Sequence, residues 1–455
     1  MIDNSTSIWR HHLLINDYQN AFLIDILPKN QPSIPLDIVS ELESIFCELD
    51  SDQEMNNQLL INFSEIIGQY GHSIHPYIAS TDISKLISLL DYPDLQEILL
   101  SLLWSCSFLS PDIVGYFIEA DSFIHKIVSI FFSDIDLESK LTIMKLLNSC
   151  ISQSNELSSI LVDENFFNVL IPYCEESTDF LTLSSIILFH CQIDENFIRS
   201  AFPIMKLIIS NSTDHYSISR ILYVLSQSNE ENDPERTIIQ YMLSEYIEQL
   251  DNFLSNETDI LLTDATITML NTIVATGDID TLNCIYSCGI INSVLMWLFN
   301  VSDISSDANE NNKLSILILS FLYSLLEVSN SNRDLISYFL DIFFQNDFIE
   351  FCKVSSFVIY EKTILLILDT ALCCLEIPQA QELFTEELIE IIIQIFESSE
   401  DGYRKELCNR LHCILLFYQD DTDFCDAMIS MWMQNDICVN FCSDLIADEL
   451  FVSDS

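Results

Sequence analysis

Leu102-Leu103-Trp104-Ser105-Cys106 returns 44 residues later as Leu146-Leu147-Asn148-Ser149-Cys150. Each copy leads through a polar turn into a second apolar stretch: Ser110-Pro111-Asp112 into Ile113 to Phe132, and Gln153-Ser154-Asn155 into Glu156 to Cys174. Working outward, the position held by Trp104 and Asn148 falls again at His190, Gln227, Asn271, Leu325, Asp369 and Cys413, in steps of 42, 37, 44, 54, 44 and 44 residues. A chain with a period of this size builds a row of similar helical units, each covering the apolar side of the next. The long step contains Val301 to Asn312, rich in Ser, Asp and Asn, which reads as an inserted surface loop.

Within the units, apolar residues recur at helical spacing. Ile83, Leu86, Ile87 and Leu90 form one stripe, and Leu365, Leu368, Leu372 and Leu375 another. Ile389 to Phe396 is apolar nearly all round, as expected of a helix covered by its own unit and by both neighbours. Asp91-Tyr92-Pro93-Asp94 and Asp134-Ile135-Asp136 supply caps between helices. The expected fold class is all-α, a right-handed superhelical solenoid of armadillo/HEAT-type repeats. Residues 1–36, with Pro28, Pro32 and Pro35, read as an N-terminal arm, and residues 37–455 as one solenoid of about nine repeats.

Composition narrows the function classes. Hydrophobic residues at 49% against 19% charged exclude a disordered chain. Six Gly and 10 Pro are too few for dense β-turn chemistry or Gly-rich phosphate loops. Seventy Asp and Glu against 17 Lys and Arg give a formal net charge of −53, a field that repels nucleic acid and anionic lipid and attracts basic partners. The same charge also serves solubility, and composition leaves both readings open. Fifteen Cys scattered through apolar runs such as Ala371-Leu372-Cys373-Cys374-Leu375 read as small buried hydrophobes in a reducing compartment. Met1 to Thr6 carries no secretory pattern, and the apolar run Thr363 to Leu375, broken by Asp369, is short for a membrane span. The expected location is therefore the cytoplasm, the nucleus or both, with no membrane partner.

Catalysis finds no positive signal. There is no Gly-x-Ser-x-Gly, phosphate loop or dinucleotide fingerprint, and no carboxylate pair stands out among so many. Cys408, His412 and Cys413 sit at helical spacing, with Cys425, Cys438 and Cys442 beyond, but no short Cys-x-x-Cys knuckle accompanies them; they read as buried thiols. His72 and His75 read as capping or surface groups. No enzyme, metal or cofactor is expected.

Several turns carry a resemblance to armadillo repeats, and more narrowly to those of the importin-α (karyopherin-α) family. They are Ile285-Tyr286-Ser287-Cys288-Gly289-Ile290-Ile291, Ile118-Glu119-Ala120-Asp121-Ser122-Phe123-Ile124, Val162-Asp163-Glu164-Asn165-Phe166-Phe167 and Ile78-Ala79-Ser80-Thr81-Asp82-Ile83. They are similar to the family's turn between its second and third helices, and the likeness covers residues of about 40 to 400. It implies a concave groove for extended basic segments such as nuclear-localisation signals, with an Asn pinning the peptide backbone and a Trp four residues earlier forming a slot for Lys stems. Carried onto this chain, the Asn place is kept at Asn148 and Asn271, and becomes Gln227 and Asp369 elsewhere. The Trp place is Leu100, Met144, Tyr223, Ile267 and Leu365. The groove residues implied are thus Trp104, Asn148, Tyr223, Gln227, Asp264, Asn271 and Asp369, with carboxylates carrying much of the recognition. The family's basic arm for importin-β is not matched, since only Arg10 and Lys29 lie in the first 30 residues. A general armadillo scaffold that docks folded proteins, with no role in nuclear transport, fits the same features.

Overall fold

The structure, a computed structural model, describes residues 34–49, 53–120, 122–154, 157–227, 247, 249–255, 259–275, 279–304, 308–329, 386–417 and short pieces within 425–439. Most of the arm expected at 1–36 therefore lies outside the described residues, as do Asp369, the stripe Leu365 to Leu375 and Cys442. The chain divides into two compact units, Met1–Glu230 and Glu231–Ser455. Among the described residues every regular element is helical.

In the first unit the helices are α1 (Leu36–Glu48), α2 (Gln53–Tyr70), α3 (Ser80–Leu89), α4 (Gln96–Ser107), α5 (Pro111–Glu119), α6 (Phe123–Phe131), α7 (Leu137–Ile151), α8 (Ser158–Asp163), α9 (Phe166–Glu176), α10 (Thr178–His190), α11 (Glu195–Asn211) and α12 (His215–Gln227). Two full three-helix repeats are visible, α5–α6–α7 and α8–α9–α10. The third helices form one layer in chain order: α2 packs on α4, α4 on α7, α7 on α10 and α10 on α12. The other helices form a second layer through the pairs α3–α5, α6–α8 and α9–α11.

Periodicity explains which face goes inward. Ile83, Leu86, Ile87 and Leu90 are all buried. In α10, covered on several sides, nine of 13 residues are buried from Phe180 to Phe189, as a helix without a polar face requires. Phe131 at the end of α6 meets Phe166 at 5.0 Å and Tyr173 at 5.5 Å on α9, tying one repeat to the next.

The abundant acidic residues begin many helices. Asp136 accepts from the Ser139 amide at 2.8 Å, Asp194 from Phe197 at 2.8 Å and Asp214 from Ser217 at 3.1 Å. Side-chain acceptors of this kind satisfy amides that a helix start leaves open. The bonds from Ser139 hold the Asp136 carboxyl below its usual range. Cations close helix ends: Lys85 donates to the Phe46 carbonyl at 2.6 Å, Lys140 to the carbonyls of Phe131 and Ser133, and in the second unit Arg404 to those of Phe396 and Glu397 at 2.7 Å each.

The second unit contains α13 (Ile260–Ala275), α14 (Ile279–Ser287), α15 (Ile290–Ile304), α16 (Ala308–Ser329), α17 (Glu386–Ser398) and α18 (Asp401–Phe417). The group α14–α15–α16 is a three-helix repeat, and its long third helix packs on α13. Trp297 Nε1 donates to the Leu254 carbonyl at 2.6 Å and Tyr286 shares a 3.0 Å hydrogen bond with Ser329, both across about one repeat length.

Three sequence expectations need correction. Val301 to Asn312 is not one inserted loop: α15 runs to Ile304 and α16 starts at Ala308. The turns likened to a second-to-third-helix corner lie between the first and second helices of each repeat, as Gly289 between α14 and α15 and Asn165 between α8 and α9 show. Both residues have positive φ, +86° and +56°, conformations that Gly enters freely and Asn tolerates better than most. The helix Ile389 to Phe396 also keeps an exposed side, at Glu390 and Gln394. No single helix among the described residues is long and apolar enough to cross a membrane; the pair α14 and the start of α15, bent by 63°, passes that test only jointly.

Gly289→Ala is expected to lower stability by about 1 kcal/mol, since a Cβ is strained at this φ. Thermal unfolding checks it, and an unchanged midpoint would contradict the left-handed corner.

Candidate functional site

The third helices of each unit carry expected groove residues, unevenly. Trp104 on α4 is half-buried; its ring lies edge-on to Phe108 at 5.4 Å, and the Lys145 ammonium from α7 stands over it at 4.3 Å. Its indole N–H is covered and has no hydrogen-bond partner. Asn148 on α7 is 0% exposed, and neither its amide nitrogen nor its oxygen has a partner. Ser107 and Ser149 share a 3.4 Å hydrogen bond between the same two helices. Trp104 and Asn148 thus occupy corresponding places on adjoining helices.

Farther along the first unit, Tyr223 on α12 is only 6% exposed, with its ring 5.8 Å from Phe189. Gln227 ends α12 and is exposed. In the second unit, Asn271 on α13 is half-buried with its amide nitrogen unpartnered, and Asp264 is 4% exposed. Asp369 lies outside the described residues. The expectation of one open ladder therefore needs correcting. Asn148, Tyr223 and Asp264 are interior groups, because a third helix wedged between two others buries more than one of its sides. The Trp place of the importin-like array is interior throughout its described part: Leu100, Met144, Tyr223 and Ile267 are all buried.

What the layer does hold is unmet hydrogen-bonding capacity. Among the described residues, the buried side-chain atoms without partners are Trp104 Nε1, both amide atoms of Asn148, Thr263 Oγ1, Asn271 Nδ2 and Gln249 Oε1. All but the last belong to third helices, α4, α7 and α13. A buried polar group left unpaired costs about 1–3 kcal/mol, so such groups are rare unless they serve something beyond the fold.

Sequence reading missed Lys145 and Thr263. A signal for Lys145 was present: it lies three residues before Asn148, one helical turn away, in a chain with only 17 Lys and Arg. Burial pushes its ammonium below the usual lysine range, opposed by the nearby charges of Asp179 and Glu138.

The remaining candidates are structural or scattered. His72 meets the Leu109 carbonyl at 2.9 Å, and His75 lies 3.7 Å from Asp112. Cys106, Cys150, Cys174 and Cys191 are buried, and desolvation pushes the thiols upward, to about 11 for Cys174 and about 12 for Cys150. Cys413 and His412 are exposed and Cys408 half-buried, so the reading of this trio as core groups is corrected. No metal-capable group of three or more such side chains occurs among the described residues. An apolar cavity of about 190 Å³ opens between α17, α18 and the following pieces, lined in part by Ile392, Leu411, Trp432 and Met433.

No protein-family model matches the chain, and no curated relative matches it. Solved structures do. A crystal structure of the SYS-1/POP-1 complex matches with a TM-score of 0.61 at 12% identity, over 94% of this chain and 85% of that one. A crystal structure of SYS-1 matches with a TM-score of 0.60 at 13% identity, over the same shares. At this identity the likeness shows the fold, an all-α solenoid of armadillo type.

Asn148→Leu is expected to raise the stability of the isolated chain by about 1–2 kcal/mol, because it removes an unsatisfied amide at nearly constant shape. Denaturant unfolding measures this. A loss of similar size would show that the amide is bonded in solution.

Proposed function

We propose that this chain is a non-catalytic protein-binding scaffold that receives extended, basic segments of partner proteins along its third-helix layer. The observation that carries the proposal is the unpartnered polar atoms of Trp104 and Asn148 on adjoining third helices of the first unit; in the second unit Thr263 and Asn271 carry such atoms on α13. An extended segment brings a regular row of backbone N–H and C=O groups, which is what such atoms lack. Because the atoms are covered in the free chain, reception includes a local rearrangement of side chains such as Lys145.

Charge supplies the partner's sign. The net charge of −53 attracts Lys- and Arg-rich segments. Several of the chain's own cations are held by carbonyls at helix ends rather than by its carboxylates. The solved neighbour is described in complex with a protein, POP-1, which supports a protein-binding use of the fold. Carriage of nuclear-localisation segments is the narrower form of this proposal, with action in the cytoplasm and nucleus. The buried Trp-equivalent positions favour the general scaffold over an importin-like array.

A second reading rests on a different surface. Ile429 and Met433 are exposed at the apolar cavity of the second unit, which suits docking of a folded partner through an apolar ridge.

Capture from cell extract is expected to enrich Lys- and Arg-rich proteins, with binding falling steeply as salt rises. Asn148→Leu should weaken that capture while leaving the chain folded. Partners that are neutral and held equally at high salt would overturn the proposal in favour of the apolar surface.

A further inference from the structure

Among the described residues several cations are held by a backbone carbonyl or an ion pair, and Lys145 is held by neither. Lys140, five residues earlier on the same helix, is buried, donates to the carbonyls of Phe131 and Ser133, and lies 4.9 Å from the Phe131 ring and 5.2 Å from the Tyr173 ring. Lys126 is paired with Asp91 at 2.7 Å. Lys145 has neither a carbonyl nor an ion pair at contact distance. Its stem crosses from α7 to α4, and its ammonium rests 4.3 Å from the centre of the Trp104 ring. A half-buried lysine ordinarily extends its charged end to water; here the end is placed on an indole face, where attraction comes from the ring quadrupole.

We propose that Lys145 is the resident cation of the Trp104 face, and that a basic partner segment gains this position only by displacing it. The inference rests on the functional reading above and adds its regulation. An incoming lysine makes the same contact that Lys145 makes, so the exchange is nearly balanced at this point. The resident side chain has no hydrogen bond to break, unlike Lys140, and can therefore leave. Displacement frees the Trp104 face between α4 and α7, and the unpartnered Trp104 N–H and Asn148 amide belong to the same two helices, so entry of the cation is coupled to the side-chain rearrangement through which backbone hydrogen bonds form. Lys145 thereby selects against isolated basic side chains, which gain nothing from the exchange, and in favour of segments whose backbone also engages the layer.

The test compares the full chain with Lys145→Met, which keeps the stem and removes the charge. Lys405→Met, at an exposed position on α18, is the control that makes the same change in net charge elsewhere. Affinity for a short oligolysine peptide is measured by titration at moderate salt, with thermal melts confirming that each variant is folded. Lys145→Met is expected to bind about five-fold more tightly than the unaltered chain, the order of one cation–π contact at a partly desolvated site, and Lys405→Met is expected to change little. In a Trp104→Leu background the gain should vanish. If the unaltered chain binds the peptide and Lys145→Met binds no better than Lys405→Met, the guard role is overturned while the functional reading stands. If no form of the chain binds the peptide, both fall together.

Discussion

Everything in this fold depends on one contact: the packing of each third helix against the third helices before and after it. In the first unit this contact runs from α2 through α4, α7 and α10 to α12 without interruption. No repeat could bury its own apolar side alone, because a three-helix unit of this size has too much surface for its volume. The cost of the arrangement falls on polarity. A helix buried on several sides has few places for a polar residue, and those it keeps must be bonded internally or left unmatched. Ser184, Ser185 and Ser217 follow the first course: Ser184 is bonded to Cys174, while Ser185 donates to Ser217 and accepts from Arg220. Asn148 and Thr263 follow the second.

The charge of the chain has a related logic. Acidic residues are tolerated at helix starts, where Asp136, Asp194, Asp214 and Asp259 satisfy open amides, the last by accepting from Leu262 at 2.9 Å. Lys85, Lys140 and Arg404 are drawn to helix ends. Both habits follow from the polarity of the helix itself. The result is a strongly acidic chain in which part of the positive charge is held against backbone carbonyls. This is the physical basis for expecting basic partners.

Much of the fold was legible because burial in helical repeats imposes two periods at once, that of the helix and that of the unit. The register read from Trp104 and Asn148 passes through His190 on α10 and Gln227 on α12, and within the second unit through Asn271 on α13 and Leu325 on α16. Those positions do fall on third helices. The site was much less legible. A helix that is apolar nearly all round does not disclose toward which neighbour a lone Asn or Tyr points, so Asn148 and Tyr223 looked available when they are interior. The stretch Val301 to Asn312 looked like a loop because Ser, Asp and Asn are common in turns, yet they also suit helix ends. Lys145 was overlooked because its importance lies in a contact across 41 residues, between two helices that no local pattern connects.

The claim that stacking in chain order holds the molecule together is tested most directly by hydrogen exchange on the full chain after Phe131→Ala. That ring joins α6 to α9, and its loss opens a cavity without touching the second unit's helices. The account predicts faster exchange in α6, α7, α9 and α10, fading toward α2, with α13 and α16 unchanged. A uniform loss of protection through both units would contradict it, because that is the response of one cooperative globule rather than of units stabilised by their neighbours.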